Sequence, residues 1–184
     1  MADMQKGRHP MPAMTQCPKR EIPMKKSVSD MATLTNLIYY REVAEIKNLG
    51  KIMQKTIMEQ GKQFYDVWMY HTSDEQQALA SAFGERYMLE ASLEKMASCT
   101  HTGVKDLLKE AIHLHCLSLV KKNLEWYLMN GVISAEAAED LDATHQLAVK
   151  AFVPHMNTAV EGLGVFNISH LHAPIARDYV AFNA

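Results

Sequence analysis

Between Thr33 and Gln60 the apolar residues Leu34, Leu37, Ile38, Ile46, Leu49, Ile52, Met53 and Ile57 recur at three- and four-residue steps. Steps of that size stack side chains on one face of an α-helix. Carried over this span, the helix exceeds about six turns and crosses a whole small domain. An amphipathic rod of that length needs other elements to cover its apolar stripe, which confines the fold to architectures built of packed helices. Asp30 or Thr33 is placed to cap its start. Gly61, Trp68, His71, Thr72 and Ser73 follow, and the pattern extends towards a break near Thr72.

The rest of the chain repeats the theme. A second helix is expected from Asp74 to about Ser98, with Ser73 as its cap and Ala78, Ala82, Tyr87, Leu89, Leu93 and Met96 inward. Cys99-Thr100-His101-Thr102-Gly103 reads as a connection. A third helix runs from about Val104 to Asn130, with Leu107, Leu108, Ala111, Leu114, Leu117 and Val120 inward and Gly131 as the residue that ends it in a left-handed conformation. Ser134 caps a fourth, whose first turns are acidic and whose apolar side holds Leu141, Thr144, Leu147, Ala148 and Ala151. Pro154 kinks that helix or starts another, Gly162 and Gly164 end the segment, and Pro174 opens a last short helix. No stretch alternates as a strand would. The fold expected is all-α: an antiparallel bundle of about four main helices with short C-terminal helices.

Residues 1–32 stand apart. Pro10, Pro12, Pro18 and Pro23 interrupt them, and Lys6, Arg8, Lys19, Arg20, Lys25 and Lys26 make them basic. They read as a disordered arm or interdomain linker rather than a tether for an anionic surface, and residues 33–184 as the helical domain.

Composition excludes several classes. A net charge of −2 over 184 residues offers no electrostatic footprint for nucleic acid. No apolar run is long enough to span a bilayer, and no apolar stretch follows the N-terminal lysines to make a secretory signal. Cys17, Cys99 and Cys116 are odd in number and far apart, which fits reduced thiols better than a disulfide framework.

Motifs for chemistry are sparse. His113 and His115 sit mid-helix two residues apart and point about 200° away from each other, so one ion does not take both. His170 and His172 lie in an irregular segment with no cysteine or carboxylate to complete a ligand set. Cys99 and His101 are neighbours in sequence, which does not make a catalytic dyad. No nucleophile elbow, dinucleotide fingerprint or phosphate loop occurs, and Gly162-Leu163-Gly164 is a helix terminator. Met53, Met58, Met69, Met88, Met96 and Met129 read as core filling before they read as a groove. Trp68, Trp126 and Tyr127 fall near helix ends, where aromatics pack at domain seams. No catalytic, cofactor-binding or metal residue is assigned.

The C-terminal punctuation carries a resemblance. Leu124-Glu125-Trp126-Tyr127 through Gly131-Val132-Ile133-Ser134, then Val153-Pro154-His155-Met156, Thr158-Ala159-Val160-Glu161, and Ala173-Pro174-Ile175-Ala176 with Tyr179, follow the order of the C-terminal helical domain of acyl-CoA oxidases. Tyr40-Arg41-Glu42 stands where those enzymes place an aromatic and an arginine early in a long helix, and Lys51 to Trp68 resembles their helix-then-tryptophan passage. The resemblance covers about four-fifths of the chain.

It implies a fragment or truncated form of an oxidoreductase of fatty acid β-oxidation, a flavoprotein that turns acyl-CoA into trans-2-enoyl-CoA with FAD and passes the electrons to O2 as H2O2. Nothing in the sequence matches the family's β domain or the motif of its proton-abstracting glutamate. FAD is therefore expected in the full-length enzyme and not on this chain alone, and Glu42, Glu90 and Glu125 are read as surface or capping residues. The implied partners are the remaining oxidase domains or a second copy of the chain, with acyl-CoA bound only in the full-length context. The implied location is the peroxisome, although Phe182-Asn183-Ala184 is not the import tripeptide, which leaves the cytoplasm open. Acyl-CoA oxidase-like members are the nearer comparison, because their C-terminus need not carry that tripeptide. The competing class is a free-standing helical interaction module derived from the same family.

Overall fold

A computed structural model describes residues 28–164 and Val180. The N-terminal arm up to residue 27, the His170/His172 pair and the Pro174 helix lie outside the described residues. Helix α1 spans Met31–Gln54 and passes into a π-helical turn, Lys55–Glu59. Short α2, Phe64–Asp66, leads into a second π-helical turn, Val67–His71. Then come α3, Ser73–Ser98, α4, Thr102–Lys122, and short α5, Leu124–Met129. Helix α6, Ala135–Phe152, continues through a 3-10 turn, Val153–His155, into α7, Met156–Gly162. There is no strand among the described residues, and the long helices α1, α3, α4 and α6 pack against one another as an all-α bundle.

Side-chain pairs set the directions. Tyr39 meets Glu90 while Glu42 meets Arg86, so α1 and α3 run antiparallel. Glu85 meets Asn123 while Met88 and Lys95 face the first half of α4, which makes α3 and α4 antiparallel. Lys121 reaches Asp142 and Glu110 reaches His155, which does the same for α4 and α6. The main core lies where these helices meet and includes Leu34, Leu37, Leu89, Leu117, Val120, Tyr127 and Leu141. Burying each such side chain contributes about 1.5–3 kcal/mol. A separate small core of Leu49, Met53 and Val67, with Ile57 and Leu79 against it, sits at the far end of α1.

Local chemistry explains the element ends. Asp30 caps α1, its Oδ1 accepting from the Thr33 amide at 2.9 Å. Ser134 caps α6 by accepting from the Ala137 amide at 3.2 Å. Gly131, at φ 65°, ends α5 in the left-handed region, where the Val132 amide turns back to the Tyr127 carbonyl. Pro154 falls in the 3-10 turn that separates α6 from α7, as a residue lacking an amide donor should.

Four expectations about elements change. Helix α1 stops before residues 61–73, because Gly61 at φ 64° turns the chain. Ser73 lies inside α3, and Thr72, at its start, directs its hydroxyl to the Val67 carbonyl instead of capping the helix. The helix expected from Val104 to Asn130 starts at Thr102, capped by the His101 ring, and breaks at Asn123. The Asn123 amide group bonds the Leu119 carbonyl and Glu85, and the residue leaves helical geometry with φ −103° and ψ 18°. Tyr87 and Leu147 face outward, exposed by 58% and 66%, where the periodicity placed them inward.

Candidate functional site

The least expected feature of the bundle is a layer of buried charge between α1 and α3. Arg41, Glu42 and Glu45 on α1 and Arg86 on α3 are all buried. Burial of that kind occurs when each charge finds a partner. Arg86 donates through Nε and Nη2 to the two carboxylate oxygens of Glu42, and through Nη1 to Glu90. Glu90 also accepts from the Tyr39 hydroxyl at 2.6 Å. At the adjacent position of each helix Arg41 donates to Glu85 at 2.6 Å, and Glu85 accepts further bonds from Lys122 and the Asn123 amide group. The layer therefore ties α1, α3 and the end of α4 into one unit.

Its electrostatics follow from position. Burial raises the Glu42 pKa, opposed by the bonds and charge of Arg86. Burial raises the Glu45 pKa as well, against the charge of Arg41 and a hydrogen bond from Trp126. For Arg86 burial works the other way, but Glu42 and Glu90 outweigh it and the pKa rises. A general base must come within hydrogen-bond reach of a substrate proton. Glu42 is 1% exposed with both oxygens held by Arg86, so the arrangement suits a clamp between helices. The surface reading of Glu42 and Glu90 is corrected: Glu42 belongs to the interior and Glu90 to its edge. Glu125 is exposed.

Beside this layer an apolar groove of about 640 Å³ runs between α1, α3 and the second π-helical turn. Leu49, Leu79, Ala80 and Phe83 line it from the bundle, Trp68 and Met69 from the corner, and Ser73, Gln76 and Gln77 supply its polar groups. The corner continues outward as an exposed apolar cluster of Met58, Phe64, Tyr65, Trp68, Met69 and Tyr70. Phe64 stacks on Trp68 with ring centroids 6.1 Å apart. A cluster of this kind marks a surface that meets something else.

The other residues singled out in the sequence are not gathered here. The His113 Nε2–H donates to the Ser29 carbonyl at 2.8 Å, whereas the His115 Nε2 is buried without a partner in a different cavity beside Met88 and Leu108. Among the described residues no group of three or more histidines, cysteines or carboxylates is placed to hold a metal ion. His101 accepts from the Val104 amide as a helix cap, and the Cys99 thiol points to the His101 carbonyl, not to its ring. Burial pushes the Cys116 thiol up to about 11. Ser118 lies 3.0 Å from the His145 Nε2, but its hydroxyl donates to the Leu114 carbonyl at 2.8 Å, which leaves the pair as a tie between α4 and α6.

Of the aromatic trio, Tyr127 belongs to the main core with its hydroxyl on the Leu37 carbonyl, and Trp126 packs edge-on against Tyr40 and Tyr127. Trp68 alone of the three reaches the surface cluster. Met53 fills the small core and Met96 packs on the main one, but Met58, Met69, Met88 and Met129 are exposed, so core filling does not account for them.

The charged layer was missed, though a signal for it exists. The apolar series of α1 is empty between Ile38 and Ile46, and Arg41, Glu42 and Glu45 occupy that gap in the same helical register. In α3 Arg86 falls four residues after Ala82 and three before Leu89, both buried.

No curated protein and no solved structure matches the chain. A family model described as acyl-CoA oxidase matches residues 30–162, from the cap of α1 to the end of α7, and so takes in the four long helices, the charged layer and the groove. With that match spanning most of its length, the chain belongs to the acyl-CoA oxidase family.

Proposed function

We propose that the chain acts as the C-terminal helical domain of an FAD-dependent acyl-CoA oxidase, with a structural and dimerising role and no oxidation of its own. Residues 1–32 are the linker arm and 33–184 the domain in this reading. The full enzyme would convert acyl-CoA to trans-2-enoyl-CoA with release of H2O2, in the peroxisome. The observation that carries the reading is the run of exposed apolar side chains from Met58 to Tyr70 on a family domain. Such a surface fits the remaining oxidase domains or a second copy of the chain. Among the described residues no helix is long and apolar enough to cross a membrane.

Two cavities among the described residues bear on FAD. A flavin dinucleotide needs cationic or amide donors for its pyrophosphate. The α1–α3 groove has Glu42 as its charged lining residue, and the cavity at the start of α1 sets Lys109 against Asp30, Asp106 and Glu110. Neither lining holds more than one lysine or arginine for a diphosphate, and in this reading flavin binding and proton abstraction fall to other parts of the enzyme, with no step placed on this chain.

The test is the purified chain mixed with FAD and acyl-CoA. It should stay colourless, release no H2O2 and scatter light as a two-fold dimer; a yellow protein that makes peroxide would refute the reading. A free-standing interaction module is the second reading, favoured by a core in which Leu34, Leu117 and Leu141 are completely buried by this chain alone. The full transcript separates the two, since an upstream β domain supports the oxidase and a translation start at Met1 supports the module.

A further inference from the structure

We propose that residues 60–72 form a latched cover that lifts from the apolar groove between α1 and α3 while the bundle stays folded. The inference is independent of the oxidase reading, because it concerns how this corner is held and not what docks on it.

Both ends of the segment are built to yield. A π-helical turn precedes it and another lies within its second half. Such turns interrupt the regular α-helical ladder and recur at functional positions. Gly61, at φ 64°, reverses the chain after the first turn, and Thr72, at φ −134° and ψ 19°, joins the second to α3.

The attachment is slight. From residue 60 to 72 only Val67 and Thr72 are buried. Val67 enters the small core and not the main one, so its removal leaves the main core untouched. The Phe64–Trp68 stack and the contact of Lys62 with His71 at 2.9 Å lie within the segment and travel with it. What binds it to the body is Val67, a long bond of 3.4 Å from the Lys62 amide to the Thr56 carbonyl, and one side chain of α3. The Gln76 amide group donates to the Trp68 carbonyl at 2.6 Å and to the Thr72 hydroxyl at 2.8 Å. Thr72 in turn donates to the Val67 carbonyl at 3.0 Å. Gln76, Thr72 and Val67 thus form a single latch. Trp68 and Met69, which wall the groove on this side, move with the segment when the latch opens. Regions with few buried contacts open in units smaller than the whole fold.

Hydrogen exchange on the full chain tests this. In the wild type, amides of residues 67–71 should be protected at least about tenfold less than those of residues 34–42. Gln76→Ala, a partly exposed helix position that Ala suits, should lower their protection by a further ~3–10-fold, as expected for a lost hydrogen bond, and leave residues 34–42 and 82–89 unchanged. Thr72→Val, which opens the latch without altering a groove-lining side chain, should at least double the fluorescence of an anilinonaphthalene sulfonate probe. Equal protection of the corner and α1, a Gln76→Ala effect spread over α1 and α3 or absent from the corner, or unchanged dye binding in Thr72→Val would each overturn the cover.

Discussion

Replacing Arg86 with Ala should unfold this domain more readily than any other single change to its charged residues. The side chains of Arg86 and Glu42 are each 2% exposed, so the variant leaves a carboxylate in the interior with its cation gone. Removing one member of a buried pair costs about 3–5 kcal/mol. Glu90 adds little, because at 32% exposure water replaces what it loses. A domain of this size has about 5–15 kcal/mol in total, and each kcal/mol shifts its Tm by about 2–4 °C. The variant should therefore melt about 6–20 °C lower at pH 7.

Its pH dependence identifies the cause. The Glu42 pKa is already above its ordinary value through burial, and loss of Arg86 raises it further. A carboxyl whose folded pKa is raised contributes stability below its unfolded pKa and loses it as pH rises through the folded one. The deficit should accordingly shrink between pH 7 and pH 5. The double change Arg86→Met with Glu42→Leu removes both charges and should recover most of the loss. Differential scanning calorimetry of the three variants at both pH values checks this. A pH-independent deficit, or a double variant as weak as Arg86→Ala, would show that Arg86 acts through packing and not by compensating Glu42.

Other outcomes follow from single residues. Glu45→Gln keeps an oxygen for Trp126 and cannot ionise; since burial raises the Glu45 pKa, it should match the wild type in acid and exceed it at pH 7.5, and a lower Tm at pH 7.5 would count against the reading. Ser134→Ala should lose about 1 kcal/mol with the cap of α6, measured by urea unfolding. Gly131→Val should lose more, and through backbone strain alone, because the space around a side chain there is open while φ is 65°. Cys116 should resist iodoacetamide at pH 8 in the native protein, its thiol raised to about 11, and react only after denaturation, as peptide mass mapping would show.

Helix content, the cap at Ser134, the turn at Gly131 and the break at Pro154 depend on residues a few positions apart. The sequence alone therefore determined them, along with the all-α class. The family resemblance rested on the same punctuation. What the periodicity could not decide was which neighbour each face would meet. A charged residue within an apolar stripe looks like an interruption until the opposite helix is in place, and only the antiparallel register of α1 and α3 brings Glu42 to Arg86 and Arg41 to Glu85. The same holds for the corner. Trp68 and Tyr127 are both aromatics near helix ends, yet one closes the core and the other stands at the surface, because burial is decided by tertiary packing and not by position along a helix.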